Sequence, residues 1–226
     1  MNLAVYSLIF ILFSFASSAH TSHYKNLKQI EMEIFKDGNL IGYNYYFFTK
    51  NEDVLIVKNQ IQFKVKLFGV EVFNVEGYGV EKYKNNKLIS YESKTLQNDK
   101  EKFVNLMYEP ESDKFSIKGS SYSGLANTDN VVGNWWNHQI LQVNSQISPI
   151  SGSVKDQIIT FLGKEKIELY GNIIDVDHFN LKSKDMTIPK DKILDFDIWY
   201  DSKNAMIVKI SYSRLGNWEY KLKSFK

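Results

Sequence analysis

Apolar and polar residues alternate along most of the chain. Ile61, Phe63, Val65 and Leu67 interleave with Gln60, Gln62, Lys64 and Lys66. That period of two predicts a strand with one buried face. Ile41, Tyr43, Tyr45 and Phe47 repeat the pattern, as do Met206, Val208, Ile210 and Tyr212, and then Trp218, Tyr220 and Leu222. Turn chemistry separates these runs. Asp37-Gly38-Asn39, Asn51-Glu52-Asp53, Asn85-Asn86, Asn98-Asp99 and Asp201-Ser202-Lys203-Asn204 suit hairpins whose central residues need positive φ. The spacing predicts long antiparallel strands joined in sequence. Such a meander must curl to bury one face and protect its edges. The predicted fold is therefore all-β: a curled antiparallel meander forming a barrel or half-barrel.

Two features interrupt the alternation. Gly69, Gly77 and Gly79 lie inside a strand-like run from Val54 to Lys84. They mark either corners that bend the sheet or, at Phe68-Gly69, a plain hairpin turn. The second interruption spans residues 119–153, which are rich in Ser, Asn and Gly and too long for a simple connector. Within it Trp136, Ile140 and Val143 are spaced as one face of a short helix, with Asn134 as N-cap. This insertion is predicted to lay a two- or three-turn helix against an open end or concave face of the sheet. No internal repeat occurs, and residues 20–226 read as a single β domain carrying the 119–153 insertion.

Residues 1–19 are set apart. Leu3 to Phe15 is a nearly unbroken apolar run, followed by Ala16-Ser17-Ser18-Ala19. The pattern predicts a secretory signal cleaved after Ala19, although the segment before the run lacks Lys and Arg. An uncleaved membrane anchor is the competing reading. The run is shorter than the roughly 20 residues of a membrane-spanning helix, and none is expected after cleavage. A periplasmic or secreted location follows.

Composition narrows the chemistry. The 226 residues include no Cys, which excludes disulfides, thiolate metal sites and a cysteine nucleophile. Net charge is +2, and Arg214 is the only arginine. Basic residues alternate with acidic ones instead of clustering, which argues against nucleic-acid binding. No nucleophile elbow, Walker A loop or dinucleotide fingerprint is present.

Lys87-Leu88-Ile89-Ser90-Tyr91-Glu92-Ser93-Lys94-Thr95, then Trp136-Asn137 with Gly152 beyond it, then Ile198-Trp199-Tyr200-Asp201 and a closing Trp/Tyr strand form an ordered set. This order resembles a group of exported bacterial proteins known only as a domain of unknown function. The resemblance covers most of the chain after residue 19. It implies an envelope location and a curled antiparallel sheet, and supplies no catalytic residues. More distantly the pattern is similar to the half-barrels of periplasmic lipoprotein and lipid carriers, an analogy of fold alone.

Three functional readings follow. The first is a non-catalytic protein that binds an apolar or lipid-like small molecule in the concavity of the sheet. Trp135, Trp136 and His138 would line or lid the opening, with Tyr43, Tyr45, Phe63 and Trp199 in the walls. The second is an assembly or scaffold protein that binds an envelope protein through a sheet edge or the 119–153 insertion. The third is a hydrolase acting on glycan or lipid, with Asp175, Asp177 and His178 as acid/base candidates. Asp195, Asp197 and Asp201 read as a solvated row. No cofactor and no metal are expected. The alternative is a copper site in which the His20 amine and imidazole, with His23 nearby, recruit His138 or His178.

Overall fold

The computed structural model describes Tyr24 and residues 26–226. Residues 1–19, read above as a secretory signal, and His20 and His23 lie outside the described residues. Eight strands form the first half of the sheet: β1 (Gln29–Lys36), β2 (Asn39–Asn51), β3 (Val54–Leu67), β4 (Val70–Lys84), β5 (Lys87–Gln97), β6 (Lys100–Glu109), β7 (Lys114–Gly119) and β8 (Ser123–Asn127). Seven form the second: β9 (Val131–Val132), β10 (Ser145–Ile147), β11 (Val154–Leu169), β12 (Asn172–Ser183), β13 (Asp195–Asp201), β14 (Met206–Ser213) and β15 (Asn217–Phe225).

All fifteen belong to one curled, open sheet, a half-barrel in which each strand lies beside its sequence neighbour. The exception is the break between β8 and β9, the two free edges. Three residues, 128–130, connect those edges. The first and last strands pair in the middle of the sheet, with Ile30 opposite Phe225 and Lys36 opposite Trp218. Every pairing is antiparallel except β9 with β10.

The concave face carries the core. Ile30, Met32 and Ile34 of β1, Tyr46 and Phe48 of β2, Val104 and Leu106 of β6, and Ile198 and Ile210 of β13 and β14 are all buried. Residues 128–153 pass over this face as a plug. They contribute Trp136, Ile140 and Ile147, all at most 1% exposed. The plug holds one four-residue 3-10 turn, His138–Leu141, in place of the predicted α-helix. Asn137 caps that turn by accepting a bond from Gln139 N–H. Asn134, the predicted cap, spends its side chain elsewhere: its amide donates to Glu81.

Local chemistry accounts for two further departures from the simple alternation. A bulge in the β1–β2 pairing sets Ile34 opposite Gly42 but Phe35 opposite Leu40, leaving Ile41 as an extra residue. One extra residue reverses which side chains point inward. Asn44, Tyr46 and Phe48 therefore turn to the core, while Tyr43, Tyr45 and Phe47 stack in a ladder on the outer face. The glycines of β3 and β4 divide into two kinds. Phe68 and Gly69 form the hairpin turn, with φ of 50° and 82°. Gly77 and Gly79 sit inside β4 with no register shift beside them. They make room for neighbours: a Cβ on Gly79 would lie 3.1 Å from the Tyr91 hydroxyl and 3.2 Å from its ring.

Candidate binding cavity

The plug covers only part of the concave face. Beside it a cavity of about 1420 Å³ is bounded by β2–β5, by β14 and β15, and by Gly133–Trp135 and Pro149–Ile150 of the plug. Its wall is mainly apolar, with Ile61, Phe63, Val75, Trp135, Trp218 and Tyr220 among the lining residues. These side chains point inward because β3 and β15 keep the alternation that their sequences show.

A polar strip crosses this wall. Asn59 donates to Asn44 Oδ1 at 2.6 Å, and Asn44 donates to the Tyr46 hydroxyl at 2.9 Å. That hydroxyl also accepts the backbone N–H of Trp135 at 3.2 Å. On the neighbouring strands, the hydroxyls of Tyr91 and Ser93 both donate to the Pro149 carbonyl, at 2.9 and 2.7 Å. Thr95 lies next along the lining. Sheet and plug are thus hydrogen-bonded to each other through Tyr46 and through Tyr91 and Ser93. Burial pushes the Tyr46 and Tyr91 phenols well above their ordinary range, so both remain neutral hydrogen-bonding groups.

The plug is anchored by a second polar group. Glu81 is 1% exposed. Its Oε1 accepts from Asn134 Nδ2 and Trp136 Nε1, both at 2.7 Å, and its Oε2 accepts from the Tyr83 hydroxyl at 2.5 Å. Desolvation raises the carboxyl above its ordinary value, against the opposing pull of these three donors. The Trp136 ring packs edge-on against Tyr24, Phe48 and Tyr83. Tyr24 in turn shares a 2.5 Å hydrogen bond with His138 Nδ1.

The residues singled out by sequence therefore separate. Trp135 and Phe63 lie on the cavity wall. Trp136 and His138 are buried residues of the plug, packed into the core, and do not line the cavity. Tyr43 borders the cavity, yet its ring stacks on Tyr45 in the outer ladder. Tyr45 and Trp199 are not in the lining. Trp199 lies on the outer face, stacked on His178 with ring centroids 4.5 Å apart and covered by Lys209.

Asp175, Asp177 and His178 do not converge. Asp175 pairs with Lys166 and Asp177 with Lys164, each at 3.8 Å, whereas the carboxylates beside His178 are Glu165 and Asp197. Asp201 caps the turn after β13 through Lys203 N–H and Asn204 N–H. Among the described residues no cluster of His, Asp and Glu could hold a metal ion, and no helix is long and apolar enough to cross a membrane.

Sequence reasoning missed Glu81. Its signal was present: Val75, Gly77, Gly79, Glu81 and Tyr83 share one strand face, so an inward β4 face carries a carboxylate. It also missed the polar strip, because Asn44 and Tyr46 face inward only after the bulge. A second cavity of about 640 Å³ lies along another side of the plug, lined by Tyr83, Phe115, Asn130 and Gln139 among others. Asn130 Oδ1 is the one buried side-chain atom without a partner among the described residues.

No curated protein matches the chain. Among solved structures it is similar to a DUF1329 family protein from Desulfovibrio piger ATCC 29098. Identity is 10% over 92% of this chain and 89% of that one, with a TM-score of 0.20. The family model described as Domain of unknown function (DUF6134) matches residues 32–223, a span from β1 to β15 that takes in the cavity wall and the plug, and the chain belongs to that family.

Proposed function

We propose that the protein is a non-catalytic carrier of an apolar molecule with a polar end group, bound in the large cavity. The observation that carries this reading is the cavity itself, about 1420 Å³ of mainly apolar wall crossed by a polar strip. Sites for small molecules run to roughly 300–1,000 Å³, mostly apolar with a few placed polar groups. This one exceeds that range and suits a lipid-sized ligand. Trp135, Ile61 and Phe63 supply apolar contact. Asn44, Asn59 and Thr95 supply hydrogen bonds to the end group. An exported, envelope location agrees with the apolar leader and with such a ligand.

The test uses a fatty acid carrying an environment-sensitive fluorophore. Saturable binding at one molecule per chain is expected, with blue-shifted emission. Ile61→Glu places a charge in the apolar wall and should abolish that signal while leaving the β-sheet circular dichroism unchanged. Native mass spectrometry of the purified chain reads the same question without a probe. Non-saturable uptake, or equal uptake by the folded variant, refutes the carrier reading.

A further inference from the structure

Two residues break the local rules of this fold without a packing gain. Phe68 and Leu215 are 97% and 95% exposed, and the next large apolar side chain among the described residues is Ile173 at 74%. Both sit at hairpin tips in the left-handed region, with φ of 50° and 49°. That conformation disfavours bulky side chains and suits Asn, Asp and Gly. At other turns Asp37, Asn85, Asn98 and Asp113 hold the same conformation, as do the polar Glu52 and the small, buried Ala205. Tyr170 also adopts it, but its hydroxyl is tied to Glu33 at 2.6 Å.

The two tips lie at one end of the sheet. Lys36 faces Trp218 at the β1–β15 pairing, and Lys36 Nζ donates to the Leu215 carbonyl, so the β1–β2 and β14–β15 turns are adjacent. Gly42 faces Phe63, and β3 runs on past that point to Leu67, which brings the Phe68 turn to the same end. Leu67 and Leu215 also line the large cavity, so the tips rim its mouth. Charge follows the same polarity. The charged residues lining the cavity are Lys36, Lys64, Lys66 and Arg214 against Asp37 alone. Lys64 pairs with Glu71 just outside that lining. Turns at the far end of the sheet carry both signs, with Asp53 paired to Lys84 at 3.2 Å.

We propose that the Phe68 and Leu215 tips dock the cavity mouth on an anionic lipid surface, with both side chains entering the interface and the basic rim against the headgroups. Apolar tips alone would fit any apolar partner. The cationic rim selects an anionic sheet of headgroups, and the two apolar tips fix which end docks. The inference does not depend on what fills the cavity, because docking is read by attachment to vesicles and not by ligand uptake.

The experiment is flotation of the full chain with phosphatidylcholine vesicles, alone or containing roughly one-third phosphatidylglycerol. Attachment is expected to the anionic vesicles and to weaken as salt is raised. Phe68→Asn with Leu215→Asn keeps residues suited to the turn conformation, so the fold is retained. The double variant should lose about tenfold or more in vesicle affinity. An unchanged melting temperature in the double variant shows that the loss is not unfolding. Wild-type protein that stays in solution with anionic vesicles overturns the proposal, as does a double variant that floats equally. Lipid-free self-association abolished by the same two changes assigns the tips to a second copy and also overturns it.

Discussion

Trp136 Nε1 donates to Glu81 Oε1 at 2.7 Å across 55 positions of sequence, so the plug is held by a buried carboxylate of β4. Burial raises the Glu81 carboxyl above its ordinary value. The folded state therefore binds that proton more tightly than the unfolded chain does. The stability this group contributes is fully present below its unfolded value, and declines as pH rises toward the raised one. Glu81→Gln keeps an acceptor for Trp136 and Asn134 and cannot titrate. Denaturant unfolding from about pH 4 to pH 8 should show that decline in the wild type and a flatter profile in the variant. Glu81→Leu leaves three buried donors without an acceptor and should cost about 3 kcal/mol or more at neutral pH.

Adjacent indoles should respond differently. Trp136 is 1% exposed and ringed by aromatic neighbours. Trp136→Ala is expected to cost about 3–5 kcal/mol. Trp135 faces the cavity and packs on Phe196 at 5.2 Å. Trp135→Ala should cost about 1–2 kcal/mol, because part of its surface is already open. Urea titrations of the two variants separate them, and fatty-acid uptake should fall in Trp135→Ala while that protein is still folded.

The inward glycines of β4 make a graded prediction. A Cβ on Gly77 would lie 3.0 Å from Ile61 Cγ2 and 3.1 Å from Thr95 Oγ1. One on Gly79 meets the ring of Tyr91, which is 1% exposed and bonded to Pro149. Ile61 and Thr95 border the cavity and have open space to shift into, whereas the Tyr91 ring is buried and held by its hydroxyl bond. Gly79→Ala should cost about 1–3 kcal/mol and exceed the loss in Gly77→Ala. Thermal melts of both single variants check the order.

Asp175→Asn should change stability by less than about 0.5 kcal/mol, since the Asp175–Lys166 pair is exposed and long at 3.8 Å. The measurement is a melting temperature at low and high salt. A large loss would mean that Asp175 has a structural partner the geometry does not show.

Much of this architecture could be read from the residues, and the failures have physical causes. Strands β3, β14 and β15 follow their alternation, and Phe63, Met206, Ile210 and Trp218 are buried as that pattern requires. The reading of β2 failed because one bulge residue, Ile41, reverses every side chain after it. The one local mark of that bulge is Gly42, beside Ile41, and a glycine in a strand does not say which residue is extra. The plug was visible as an anomalous loop, but its helix was not formed. Trp136, Ile140 and the turn between them are held by bonds to distant strands, and those bonds set the backbone where the spacing alone suggested a helix. The site residues divide for the same reason. Which of two neighbouring tryptophans faces the cavity depends on where Glu81 lies, and that is set by pairing across the sheet.

The meeting of β1 with β15 sets the order in which this protein can be completed. Each half-meander consists of neighbouring hairpins, which can pair as soon as their own residues are available. Pairing of the two halves joins residues as far apart as Ile30 and Phe225, 195 positions distant. Of the fifteen strands, β15, which pairs with the central strand β1, is thus synthesised last. Until it arrives, β1 presents an unpaired edge with Met32 and Ile34 beside it. A nascent chain stalled before Asn217 is two unjoined half-sheets, exposed to proteases and to other chains, and the final nine-residue strand is the step that ends that vulnerability.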